Sequence, residues 1–165
     1  MAMGTCTTKL IQRTASGGNG IPPAIENTAA PRNVAREPVV CAVNGMACGG
    51  AFYLLGEADI LIAAEHATFF DPHVTYGMPA VYEPLLMLHR GMPFGEVLRM
   101  TLLGNHERLS AARALEIGLI SEVCASEDLE AQATWLSDAI ASAPPGPMMA
   151  TLRTLWAGRE LSRQQ

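Results

Sequence analysis

The feature that most narrows the fold is a junction. From Pro38 to Val43 the chain is apolar and β-branched, and at Asn44-Gly45 it meets a strong turn signal. Met46-Ala47-Cys48-Gly49-Gly50 then leads into the helix-compatible run Ala51 to Leu55. A buried strand that gives way to a helix across paired glycines must bend sharply. Glycine lets backbone approach a ligand closely, and the first N–H groups of a helix have no intrahelical partner, so the junction suits an oxyanion hole. The same small residues also suit plain helix–strand packing. A phosphate loop does not fit, because Gly50 is followed by Ala51 and Phe52 rather than by Lys and Ser or Thr. A nucleophile elbow at Cys48 does not fit either: Gly50 stands two residues after it, but Met46 stands two before.

A second apolar run bounded by charge, Asp59 to Ala64, makes a β-α-β unit with the first, and the crossover implies parallel pairing. Ala67 to Phe70 reads as a third short strand before Asp71-Pro72, Tyr76 to Pro79 as loop, and Leu85 to Arg90 and Gly95 to Leu103 as helices. Ser110 is a natural cap for a helix over Ala111 to Ile117 that Gly118 stops, and Leu119 to Cys124 returns as a strand. Ser126 is the expected cap of the clearest helix, with Leu129, Ala133, Leu136 and Ile140 on one face as far as Pro144-Pro145. A last helix, from about Pro147 to Trp156, carries Met148, Leu152, Leu155 and Trp156 on one side. Met1 to Ala30, rich in Thr, Ser, Gly, Asn and Pro, reads as a flexible leader.

At 165 residues and 49% hydrophobic content the chain can bury one real core. Its net charge of −5 and lack of basic clusters argue against nucleic acid as a partner. Gly56, Glu57, Asp59 and Glu65 interrupt the apolar stretches before any could span a bilayer, so no membrane is expected. With no apolar signal core at the N-terminus, a cytoplasmic location is expected. Cys6, Cys41, Cys48 and Cys124 show neither C-x-x-C spacing nor disulfide density and read as free, buried thiols. His66, His89 and His106 are spaced for no metal site, and no metal is expected.

Pro38 to Gly50 followed by Ala58-Asp59-Ile60 resembles the signature of the enoyl-CoA hydratase/isomerase (crotonase) family. The resemblance continues through Ala67 to His73, Gly77-Met78-Pro79, Leu103-Gly104, Arg108 to Ala111 and Ala114 to Ile120, and covers roughly residues 34 to 160. It implies an α/β fold of β-β-α superhelical turns with a helical C-terminal segment. Residues 34–107 would form part of the core and 108–165 a trimerisation or lid segment, with 1–33 unmatched. The substrate implied is an acyl group carried as a coenzyme A thioester, with no separate cofactor, and the assembly a homo-oligomer, a trimer or hexamer. Gly50 matches the glycine whose N–H holds the thioester oxygen as it becomes an enolate; Ala47, Cys48, Gly49, Tyr76, Met78 and Tyr82 fall in segments that line the substrate pocket.

Two departures qualify that reading. Hydratases of the family use a pair of glutamates, and their positions are filled here by Tyr53 and His73. The family's upstream strands and second oxyanion donor have no match in Met1 to Arg36, so a fragment is expected, and with it an alternative: an inactive remnant that binds CoA or oligomerises.

The candidate catalysts are therefore Gly50, His73, Glu83 and Tyr53. His73 titrates near neutrality and can take or give a proton; its plain reading is a surface histidine. Glu83, if buried among Met78, Val81 and Leu86, would become a useful base; its plain reading is a solvated glutamate at a helix start. Tyr53 lies one helical turn beyond Gly50 and either donates its hydroxyl or simply packs. Asp71 could orient His73, but an extended loop would point the two apart, leaving Asp71 an ordinary turn opener. Met78, Met87, Met92 and Met100 could line an acyl tunnel, although core filler is the ordinary role.

Overall fold

Strand β2 (Val40–Val43) is buried along its whole length, and its two faces enter different cores. Cys41 and Val43 join the larger cluster with Phe52, Leu55, Phe69 and Met87, whereas Val40 and Ala42 pack with Leu129 and Ala133. Alternation of side chains along a strand explains why so continuous an apolar run is needed: both faces are covered. The computed structural model describes residues 8–11 and 37–160.

In chain order the described elements are β1 (Thr8–Ile11), β2, β3 (Met46–Cys48), α1 (Ala51–Glu57), β4 (Ile60–Ala64), β5 (Thr68–Phe70), a 3-10 turn (Val74–Tyr76), α2 (Tyr82–His89), α3 (Phe94–Leu103), a second 3-10 turn (Gly104–His106), β6 (Leu109–Ser110), α4 (Ala111–Glu116), β7 (Glu122–Cys124), α5 (Leu129–Ala141) and α6 (Pro145–Glu160). One sheet has the order β1-β2-β4-β7 and the other β3-β5-β6. The parallel pairing expected across α1 is present, with Val40 opposite Ile60, and β3 pairs parallel with β5, Cys48 opposite Phe70. From β2 to β5 successive strands thus alternate between the sheets, and β2-β3-α1 and β4-β5-α2 are two turns of the β-β-α fold that the resemblance implies. Residues beyond 107 join both sheets, β6 on β5 and β7 on β4.

Several local expectations need correction. The segment read as a flexible leader contains β1, which pairs antiparallel with β2, Leu10 opposite Cys41; its pairing is with residues some thirty positions away and leaves no local periodicity. The rest of residues 1–33 lies outside the described residues. Met46–Cys48, read as part of the glycine turn, is a strand. Ser110 does cap α4, accepting from the Arg113 N–H, but Ser126 does not cap α5: its hydroxyl bonds His66 Nδ1 at 2.8 Å, and Asp128 holds the cap position. On α6, Trp156 is buried and donates to Asp59 Oδ1 at 2.6 Å, whereas Leu155 faces solvent. Cys41 is buried, and Cys48 and Cys124 are half-buried.

Two fully buried aromatic rings, Phe52 on α1 and Phe69 on β5, anchor the larger core, each contributing about 1.5–3 kcal/mol by burial. Met87, Met92 and Met100 are core filler and Met78 is exposed, so the four do not form a common tunnel. Helix α2 lies so close to α1 that a Cβ on Gly56 would stand 2.9 Å from Leu86 Cβ. That approach sets where the start of α2 falls relative to the start of α1.

Candidate active site

The parallel pairing of β3 and β5 brings the residues that follow each strand side by side. After β3 the chain turns at Gly49, whose φ of +49° lies in the left-handed region that favours glycine, and its N–H bonds the Phe70 carbonyl at 3.4 Å. After β5 come Asp71, Pro72 and His73, and an added Cβ on Gly49 would stand 3.6 Å from His73 Cε1. The imidazole therefore packs on the glycine turn. Gly50 follows, exposed, as the N-cap of α1.

His73 has helical backbone angles, φ −52° and ψ −52°, and starts a tight turn in which its carbonyl accepts from the Tyr76 and Met78 N–H groups at 3.0 Å. The loop is thus curled, not extended, and this corrects the reading that pointed Asp71 away from His73. Asp71 is fully buried, and its Oδ1 lies 2.5 Å from His73 Nδ1 while accepting from the His73 N–H at 3.2 Å. The sequence signal for this pair is Asp-Pro-His closed four residues on by Gly77 at φ +77°, a local turn rather than a strand extension.

Glu83, in the first turn of α2, is 5% exposed, which overturns its reading as a solvated helix-start residue. Its Oε1 lies 3.8 Å from His73 Nε2. The two ring nitrogens thus face different carboxylates. The imidazole titrates above its ordinary value because Asp71 hydrogen-bonds it; partial burial opposes this, and the charges of Asp71 and Glu83 add to it. The Tyr53 hydroxyl also loses its proton less readily than a free phenol, first through desolvation and then through the charge of Glu83.

The structure therefore gathers Gly49, Gly50, Tyr53, His73 and Glu83, and adds Asp71. Of the pocket-lining candidates, Ala47 is sealed in the core, Cys48 is half-buried, and Tyr76, Met78 and Tyr82 are exposed on the loop and helix start between His73 and Glu83. Donor atoms of Asp71, His73 and Glu83 lie within 4.8 Å of one another. Donors about 2.1 Å from a tetrahedral zinc ion stand roughly 3.4 Å apart, so the 2.5 Å Asp71–His73 contact suits a shared proton better than an ion.

The family model for enoyl-CoA hydratase/isomerase matches residues 25–164 of this chain. A mevalonyl-coenzyme A hydratase of Aspergillus fumigatus is 32% identical over 132 residues, 80% of this chain and 48% of that protein. A carnitinyl-CoA dehydratase of Proteus mirabilis is 32% identical over 78% of this chain and 49% of its own. The crystal structure of an enoyl-CoA hydratase/isomerase from Mycobacterium paratuberculosis superposes with a TM-score of 0.74 at 40% identity, over 78% of this chain and 48% of that one. The chain spans about half the length of these relatives.

Proposed function

The chain belongs to the enoyl-CoA hydratase/isomerase family, and on that premise we propose that it acts on an acyl-CoA thioester, stabilising an enolate and moving a proton at the carbon beside the thioester carbonyl. The observation that carries this reading is the buried Glu83 carboxylate 3.8 Å from His73 Nε2, with Asp71 on the opposite ring nitrogen, against the Gly49 turn.

Gly50 supplies one N–H to the thioester oxygen. A donor of this kind lowers the barrier by about 3–4 kcal/mol when aimed at the developing oxyanion. Tyr53 and His73 stand at the positions of the hydratase glutamates, and the charge of Glu83 acts on both, so one carboxylate is supplied from α2 in place of the usual pair. Glu83 takes the proton from carbon. His73, protonated and held by Asp71, stabilises the ionised Glu83 and gives its own proton to the enolate, after which the proton held by Glu83 passes to the imidazole and restores both groups. This division of labour suits double-bond migration and other enolate chemistry better than addition of water between two glutamates. By family, the working assembly is a trimer or a pair of trimers.

The test is to assay crotonyl-CoA hydration, enoyl-CoA isomerisation and thioester hydrolysis with the full chain, Glu83→Gln and His73→Ala. Turnover lost about a hundredfold or more in both variants supports the reading. Turnover indifferent to both contradicts it, and CoA binding without turnover favours a non-catalytic module.

A further inference from the structure

The turn that carries His73 is held from outside the site as well as by Asp71. Thr75, half-buried in the first 3-10 turn, donates its hydroxyl to the Pro72 carbonyl at 2.8 Å, so one side chain ties together the backbone before and after His73. The same oxygen accepts from the Asn105 backbone N–H at 3.3 Å and from Asn105 Nδ2 at 2.9 Å. A hydroxyl has one proton to give and two lone pairs, and here all three are used. Asn105 lies in the second 3-10 turn, at the end of α3 and 30 residues further along the chain.

Gly104 leaves room for this contact. A Cβ there would stand 2.7 Å from Thr75 Cγ2, 2.8 Å from Thr75 Oγ1 and 3.2 Å from the Asp71 carbonyl oxygen. The end of α3 is therefore pressed against the Asp71 backbone and the Thr75 side chain, while the His73 ring packs on the Gly49 turn.

We propose that Thr75 and Asn105 form a latch that positions His73, holding the turn from Pro72 to Thr75 in the shape that puts Nδ1 on Asp71 and turns Nε2 toward Glu83. The inference rests on the proton-handling role proposed for His73, and both latch residues act through the turn, as positioning residues. The curled backbone at His73 is what brings its ring to Asp71, since an extended one would part them. Without the Thr75 hydroxyl the Pro72 carbonyl would keep only the Tyr76 N–H, at 3.2 Å, and Asn105 would lose the acceptor of both its donors. Among the described residues the charges that act on the imidazole are those of Asp71, after β5, and Glu83, on α2. Neither belongs to the latch, so a latch variant that changes the His73 titration does so by moving the ring.

NMR titration of His73 and steady-state kinetics of the full chain with Thr75→Val, Thr75→Ser and Asn105→Ala test the latch. Thr75→Val keeps the β-branched shape and removes the hydroxyl. Its His73 midpoint is expected to fall toward the 6.5 of a free imidazole, and kcat to fall about ten- to a hundredfold with KM little changed. Asn105→Ala, at an exposed position, leaves the backbone N–H in place and is expected to shift the midpoint less, in the same direction. Thr75→Ser restores the hydroxyl and is expected to return both readings close to those of the native chain. A role confined to fold stability would weaken Thr75→Val against unfolding and leave the midpoint of the folded chain where it is. That result, or a midpoint as low in Thr75→Ser as in Thr75→Val, would overturn the proposal. An unmoved midpoint in Asn105→Ala, which keeps the test open should Thr75→Val not fold, would overturn it as well. A native chain without turnover would count against the thioester reading alone, because the titration still reads the latch.

Discussion

Asp71 Oδ1 and His73 Nδ1 are 2.5 Å apart, with the Asp71 carboxylate fully buried and the His73 side chain about a quarter exposed. A buried carboxylate fixes both the ring's orientation and which nitrogen carries the inner proton, so the other nitrogen is presented to Glu83.

This pair makes stability depend on pH in a definite direction. The unfolded imidazole titrates near 6.5, and the folded one higher because of the Asp71 hydrogen bond. Its contribution is therefore complete below about pH 6.5 and is lost as pH rises through the folded value. Urea unfolding of the native chain and Asp71→Asn between pH 6 and 9 is expected to show a difference of about 1.5–3 kcal/mol at the acid end that shrinks toward the alkaline end. In turnover, the alkaline limb of the pH profile moves to lower pH in the variant.

Gly56→Ala tests the close approach that positions Glu83. In an exposed helix the change would gain about 1 kcal/mol, but here the new Cβ meets the Leu86 side chain at 2.9–3.1 Å, and overpacking costs about 1–3 kcal/mol. A net loss of stability is expected in chemical unfolding. Pairing the change with Leu86→Ala, which opens the space, is expected to give a smaller loss than the two single losses summed.

Gly50 can be tested without guessing at side chains. Its φ of −56° is one that alanine and proline both adopt, and an added Cβ would meet only Tyr53 Cδ2, at 4.0 Å. Gly50→Ala keeps the N–H and is expected to retain activity within a few-fold. Gly50→Pro removes it and is expected to lower kcat by about a hundred- to a thousandfold with KM little changed.

Much of this was legible because the signals are local. The apolar runs at Val40 and Ile60 name strands covered on both faces, and Leu129, Ala133, Leu136 and Ile140 do pack on one core. The family's motif likewise lies in one continuous stretch around Gly50. What the sequence hid depends on partners distant in the chain or on a reversal of direction. Leu10 finds Cys41 across thirty residues, Ser126 leaves its helix for His66, and Glu83 is buried on a helix that packs closely on Gly56. The Asp71–His73 pair escapes an argument from alternation along an extended chain, because the backbone at His73 is helical.

The central claim, that His73 is held between Asp71 and Glu83 as a proton-handling unit, is tested most directly by NMR titration of the His73 imidazole, assigned with His73→Asn. A midpoint above 6.5 that falls in Asp71→Asn is the result predicted. A midpoint at or below 6.5, or one indifferent to that substitution, would contradict it.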